Sequence, residues 1–296
     1  MEQTGRAGVI VKNLNIMSVT ASMIIKNLEA LSNYEAALFA QRFFKTAPGE
    51  YAEGDLFRGI RVPVLRKMVP SLDGTPLPEV IRLLKSAYHE DRLLALLLLM
   101  RRFAKGNEAL RQQIHELYLE HTRYVNNWDL VDISSPYLVG AFLRSLDRTL
   151  LYQLAASQSL WERRIAITAT FHFIRKGEFE DTLALAELLL EDPQELLHKA
   201  TGWMLREVGK RDLPLLESFL QLHYPRMPRV MLRYAIERFP EERRLLYLKG
   251  MVSTITNDVM IEPLEDVGLA NAIAEGRKND FVSGDEIFAI LDGNAQ

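Results

Sequence analysis

The chain has 296 residues, 48% of them hydrophobic and 25% charged. This is ample for a sizeable core, and length alone suggests one or two domains. It has no cysteine, which excludes a disulfide framework, a zinc ribbon and a thiol nucleophile and suits the reducing cytoplasm. The formal net charge of −3 is uneven: residues 55–249 carry 29 Lys and Arg against 25 Asp and Glu, while residues 250–296 carry 2 against 9.

Residues 1–20 are expected to form a leader without regular structure, or a turn before the first helix. Gly8-Val-Ile-Val11 there reads either as a short strand or as chain without regular structure. The segment lacks the apolar core and cleavage site of a secretory signal. From residue 77 onward the spacing predicts helices at 77–87, 91–103, 108–123, 127–143, 161–174, 179–190, 195–210, 213–222 and 228–239. Pro76, Pro78, Gly106-Asn107, Gly177, Asp192-Pro193, Pro225 and Pro228 separate them. The longest apolar run, Leu93 to Met100, is far below the roughly 20 residues that span a bilayer, so no membrane partner is expected. Residues 250–296 form an acidic C-terminal extension whose partner is unknown, with short helical patterns near 269–276 and 283–291.

Several helix openings share a basic residue followed by an apolar run. Arg92, Arg164, Lys199 and Arg233 recur at a spacing near 35, with Trp128 in the vacant place. Such a period describes an all-α fold of HEAT-like helical hairpins stacked into a curved α-solenoid, over residues 21–249. On this register Arg92, Trp128, Arg164, Lys199 and Arg233 form one row, and Asp132 and Trp203 lie in a second row one turn further on. A row mixing Arg, Lys, Trp and Asp suits a groove that meets a charged ligand.

Trp128 and Asp132 share a helix face at i and i+4. Arg163 and Arg164 open a later helix; Lys199, Trp203 and Arg206 share a face of another. The plain alternatives are core tryptophans, a carboxylate cap or ion pair, and solvated arginines. Gly202 inside its helix points to close helix contact or room for a ligand. The six histidines show no metal-ligand spacing, and no glycine-rich phosphate loop or nucleophile elbow is present. Neither metal nor cofactor is expected.

Four segments, in order, carry a resemblance: Phe57-Arg-Gly-Ile-Arg-Val-Pro63, Asn127-Trp-Asp-Leu-Val-Asp132, Trp161-Glu-Arg-Arg-Ile-Ala166 and Lys199-Ala-Thr-Gly-Trp-Met-Leu-Arg-Glu207. Over roughly residues 30–245 the chain resembles the bacterial DNA alkylation repair glycosylases of the AlkD type. The resemblance implies HEAT-like repeats around a DNA-binding groove. It implies hydrolysis of the N-glycosidic bond of cationic N7- and N3-alkylated purines (7-methylguanine, 3-methyladenine) in double-stranded DNA, without base flipping. It places the catalytic carboxylate on Asp132, aromatic contacts on Trp128 and Trp203, and a DNA-contacting arginine on Arg164. Arg163, Lys199, Arg206, Arg92 and Arg233 are the further DNA-binding candidates, and a monomer is expected. The family's early aromatic, usually Tyr, aligns loosely with Phe43. The competing reading is a non-catalytic helical-repeat scaffold that binds DNA or protein.

Overall fold

The computed structural model describes residues 19–252. The expected leader up to residue 18, the short strand near residue 8 and the extension beyond Val252 lie outside the described residues. Sixteen α-helices follow in order, and the described chain divides into two compact units after Arg102. One isolated parallel bridge, Leu56 to Tyr88, is the only strand-like pairing among the described residues. No helix there is long and apolar enough to cross a membrane.

Unit 1 contains α1 (Ala21–Ala30), α2 (Tyr34–Phe43), α3 (Val62–Met68), α4 (Leu77–Leu84) and most of α5 (His89–Lys105). Thr20 and Asn33 cap α1 and α2 through side-chain oxygens, satisfying N–H groups that a first turn leaves orphaned. Prolines in the first turns of α3 and α4 remove donors that would have no intrahelical partner. The apolar run 93–100 is buried throughout, which gives α5 its place in the core; Leu65, Val80, Leu83 and Leu84 are buried in the same unit. The loop before α3 is held by Glu90, whose carboxylate accepts from the backbone N–H groups of Arg58, Gly59 and Ile60 at 2.9, 2.8 and 3.2 Å. Gly59 has φ +75°, and a Cβ there would lie 2.2 Å from the Asn33 carbonyl oxygen. The loop therefore admits no side chain at that position.

Unit 2 continues with α6 (Glu108–Glu120), α7 (Trp128–Ser135), α8 (Ala141–Leu143), α9 (Thr149–Ala155), α10 (Leu160–Ala169) and α11 (Phe171–Ile174). It ends with α12 (Glu180–Leu188), α13 (Glu195–Gly209), α14 (Leu213–His223), α15 (Arg229–Ala235) and α16 (Glu241–Lys249). A π-helical turn over Pro136–Gly140 joins α7 to α8, so the helix expected at 127–143 runs from Trp128 to Leu143 with a π turn inside it. Within this unit α7, α10, α13 and α15 pack side by side in that order; α6 packs on the segment that continues α7, α9 on α10, α12 and α14 on α13, and α16 on α15. This is the stacked-hairpin arrangement of a HEAT-like repeat protein. Leu205, Leu216, Phe219, Leu220, Met231, Leu232 and Ile236 form the core of the last repeats.

α13 and α15 approach closely because residue 202 lacks a side chain. A Cβ at Gly202 would lie 2.4 Å from the Met231 carbonyl oxygen and 2.6 Å from the Tyr234 Cβ. Of the two readings of Gly202, helix contact is the one realised.

Candidate functional site

The helix starts of unit 2 set the true register. The N-caps of α7, α10, α13 and α15 are Asn127, Ser159, Gln194 and Pro228. The fifth residues beyond these caps are Asp132, Arg164, Lys199 and Arg233. Asp132 therefore takes the place in the row that the even spacing assigns to Trp128, and the tie between Arg164 and Asp132 spans 32 residues rather than 36. The discrepancy is one helical turn: the connection before α10 is shorter than an even period assumes. By the same caps Trp203 stands a turn beyond the Asp132 row.

Asp132 and Arg164 form a two-pronged ion pair between α7 and α10. Arg164 Nε donates to Asp132 Oδ1 at 2.8 Å and Nη2 to Oδ2 at 2.7 Å. The third guanidinium nitrogen, Nη1, donates to the carbonyl oxygen of Leu196 in the first turn of α13. One arginine thus ties three successive repeats. Both side chains are nearly sealed, Asp132 at 4% and Arg164 at 5% exposure. Burial pushes the Asp132 carboxyl above its ordinary value, and the Arg164 guanidinium opposes that shift. Beneath the pair, Ser135 and Thr168 share a hydrogen bond of 2.7 Å between the same two helices. Ser134 donates to the Leu130 carbonyl oxygen at 2.6 Å and meets the Tyr118 hydroxyl at 2.9 Å. Burial raises the Tyr118 phenol far above its ordinary value, so it stays neutral.

The two indoles differ. Trp128 is half-buried at the start of α7, its backbone N–H held by the Asn127 side-chain oxygen at 2.9 Å. Trp203 is 5% exposed and lies against Phe171, with ring centroids 5.8 Å apart. The plain core reading thus describes Trp203 better than Trp128.

The basic candidates separate into two groups. Lys199 is half-buried beside Glu195 at 2.8 Å, and Arg233 is exposed on α15. Arg163, partly exposed, donates to Asp192 in the loop before α13 at 2.6 Å and to the Ser157 carbonyl at 2.9 Å. Arg92 and Arg206 are engaged internally. Arg92 is 3% exposed and donates to Asp55 at 2.7 Å and to the Ser86 carbonyl at 3.0 Å, within unit 1. Arg206 is 7% exposed and is bonded to Glu237. The even register for Arg92, and the face shared with Lys199 for Arg206, expect both to meet DNA; each is instead bonded to a carboxylate, Arg92 to Asp55 and Arg206 to Glu237 of the next repeat.

Two contributors to the site were not read from the sequence. The Leu196 carbonyl is backbone and carries no residue-type signal. Glu162 accepts from Thr122 at 2.7 Å and from Ser157, fastening the turn before α7 to α10. Phe43, loosely aligned with the family aromatic, belongs to a cluster with Phe39 and Phe44 in unit 1. Among the described residues no three or more His, Asp or Glu side chains gather to hold a metal ion.

A family profile described as DNA alkylation repair enzyme matches residues 24–239. Among solved structures, a chain described as "predicted DNA alkylation repair enzyme from Enterococcus faecalis" is similar in fold, with a TM-score of 0.55 and 15% identity over 71% of this chain and 97% of that one. Among curated proteins none matches. The match over most of the chain, with stacked helical hairpins beneath it, means that this protein belongs to the DNA alkylation repair enzyme family.

Proposed function

We propose that this chain is a DNA glycosylase that hydrolyses the N-glycosidic bond of cationic N7- and N3-alkylated purines in duplex DNA. The observation that carries the reading is the Asp132 carboxylate, held through both oxygens by Arg164 one turn along α7 from the half-buried Trp128. Alkylation gives the base a positive charge, so it departs as a neutral group and needs no proton from a general acid. The sugar carries the developing charge. A carboxylate whose orientation is locked stabilises that charge without reorganising and can direct the attacking water to C1′. The indole face of Trp128 favours the same cation. Trp203 belongs to the wall of the site, braced by Phe171. Lys199 and Arg233 are the row members placed to meet phosphate. Because backbone and sugar are engaged, the lesion stays stacked and no base pocket is required. The protein acts as a monomer, without a metal, in the reducing cytoplasm.

One observation favours the second reading, a non-catalytic scaffold. Unit 1 contains a comparable buried pair, Arg58 with Asp91, at 2.6 and 2.9 Å. A two-pronged Arg–Asp clamp is therefore also a structural device of this chain.

Release of 7-methylguanine from a duplex, with a chelator present, tests both readings. Wild type is expected to release the base, and Asp132→Asn to lose about 10²–10³-fold in rate, the scale of removing one preorganised electrostatic group. Equal rates would remove Asp132 from the mechanism. A folded wild type that binds the duplex and releases nothing establishes the scaffold.

A further inference from the structure

Glu162 departs from the role that its spacing assigns to it. Ser159-Leu-Trp-Glu162 has the pattern of a capping box at the start of α10, in which the glutamate reaches back to the backbone N–H of the cap residue. The serine half of the box is formed: the Glu162 N–H donates to Ser159 Oγ at 3.4 Å. The glutamate half is not. The Ser159 N–H donates to Ser157 Oγ at 3.0 Å instead. The Glu162 carboxylate accepts from the Ser157 hydroxyl and, across to the preceding hairpin, from the Thr122 hydroxyl at 2.7 Å. Ser157 has taken over the cap, and Glu162 is left to reach Thr122.

Both ends of this tie are held. On the α10 side, the carbonyl oxygens of Ser157 and Gln158 accept from Arg163 at 2.9 and 3.1 Å, which fixes the loop. On the α7 side, Thr122 opens the short turn Thr122–Tyr124, and its carbonyl oxygen accepts from the Val125 N–H at 2.9 Å. Val125 and Asn127 are fully buried, and the Asn127 carbonyl oxygen accepts from the Val131 N–H at 3.1 Å, the first helical bond of α7. Thr122 is therefore joined with little slack to the turn that carries Trp128 and leads to Asp132. Glu162 stands two residues before Arg164 on α10. The Asp132–Arg164 pair by itself sets one distance between α7 and α10 and leaves the start of α7 free to swing about it. The Thr122–Glu162 bond is a second tie between the same two segments and removes that freedom.

We infer that Glu162 is a positioning residue of the site, an inference that rests on the glycosylase reading: through Thr122 it fixes where Trp128 and Asp132 stand relative to Arg164. Thr122→Val removes the donor at nearly constant shape, and Thr122→Ser retains it. At single turnover, with saturating protein on a duplex containing 7-methylguanine, Thr122→Val and Glu162→Ala should slow base release by about 10–100-fold, the scale of a misplaced reacting group. Affinity for the duplex should stay close to that of wild type, which marks a loss in the chemical step alone. Thr122→Ser should keep the wild-type rate. Ile236→Val opens a small void in the core of the last repeats and should lower the thermal midpoint without slowing release. Equal rates for wild type and Thr122→Val overturn the inference, and so does a loss confined to affinity. Amide exchange in the free protein is a second measurement that needs no activity. Thr122→Val should speed exchange at Val125 and Val131 and spare Leu232, whose N–H donates to the Pro228 carbonyl oxygen at 3.0 Å in α15. Exchange that is unchanged at Val125 and Val131, or raised alike at all three, overturns the inference. A wild type that releases no base while Val125 and Val131 respond supports the tie and refutes the glycosylase reading.

Discussion

A guanidinium that donates to one carboxylate and one carbonyl has little freedom left, and Arg164 is in that state. Asp132→Asn leaves this cation buried without its counter-charge. The expected cost is about 3–5 kcal/mol, the range for removing one partner of a buried pair. Chemical denaturation measures it, and Asp132→Asn with Arg164→Met should recover much of the loss. Kinetics then separate two roles: a purely structural pair recovers rate together with stability in the double variant, whereas a catalytic carboxylate does not. The pH profile gives a second test. Burial raises the Asp132 pKa in the fold against the opposing pull of Arg164, so ionisation, which the proposed chemistry needs, develops through and above the ordinary carboxylate range. Base release by wild type should therefore rise with pH over that interval. The acidic limb should be missing from any residual activity of Asp132→Asn.

Helices in unit 2 are held in register by contacts that tolerate little change in shape. Gly202 is the clearest case, since any Cβ there meets the Met231 carbonyl and the Tyr234 Cβ at well below contact distance. Propensity alone would make Gly202→Ala stabilising by roughly 1 kcal/mol. The clash reverses the sign, and we expect destabilisation of about 1–3 kcal/mol, the usual penalty for overpacking. A lowered thermal midpoint checks it; a raised midpoint would mean that α15 moves aside freely. Caps act at the same scale. Asn127, Ser159, Gln194 and Pro228 start four neighbouring helices, and their positions decide that Asp132 meets Arg164.

At the level of the whole molecule, duplex binding tests the basic row. If Lys199 and Arg233 meet phosphates, removing each to Ala should weaken binding alike across sequences. Each removal should also lower the slope of log affinity against log salt by about 0.9. Arg92→Ala should leave that slope unchanged, because its guanidinium is bonded to Asp55 and Ser86 inside unit 1. Titration of the duplex at several salt concentrations reads all three. An equal loss of slope for Arg92→Ala would show that burial in the free protein does not report its partners on DNA.

The sequence by itself determined the all-α class, most helix positions between 77 and 239, and the Trp128–Asp132 pairing on one helix face. These follow from apolar periodicity and from proline and glycine breaks, which act within a few residues. It was silent on α1, α2, α3, α9 and α16 as separate elements, each ten residues or shorter, which leaves few turns over which a period can be read. The tertiary structure alone decided which charges face which. An average period cannot register a connection shortened by one turn, and that turn exchanges Trp128 for Asp132 opposite Arg164. Nor can residue type distinguish a solvated arginine from a sealed one. Arg163 and Arg164 are chemically identical neighbours, and only the helices packed on either side leave one partly exposed and bury the other.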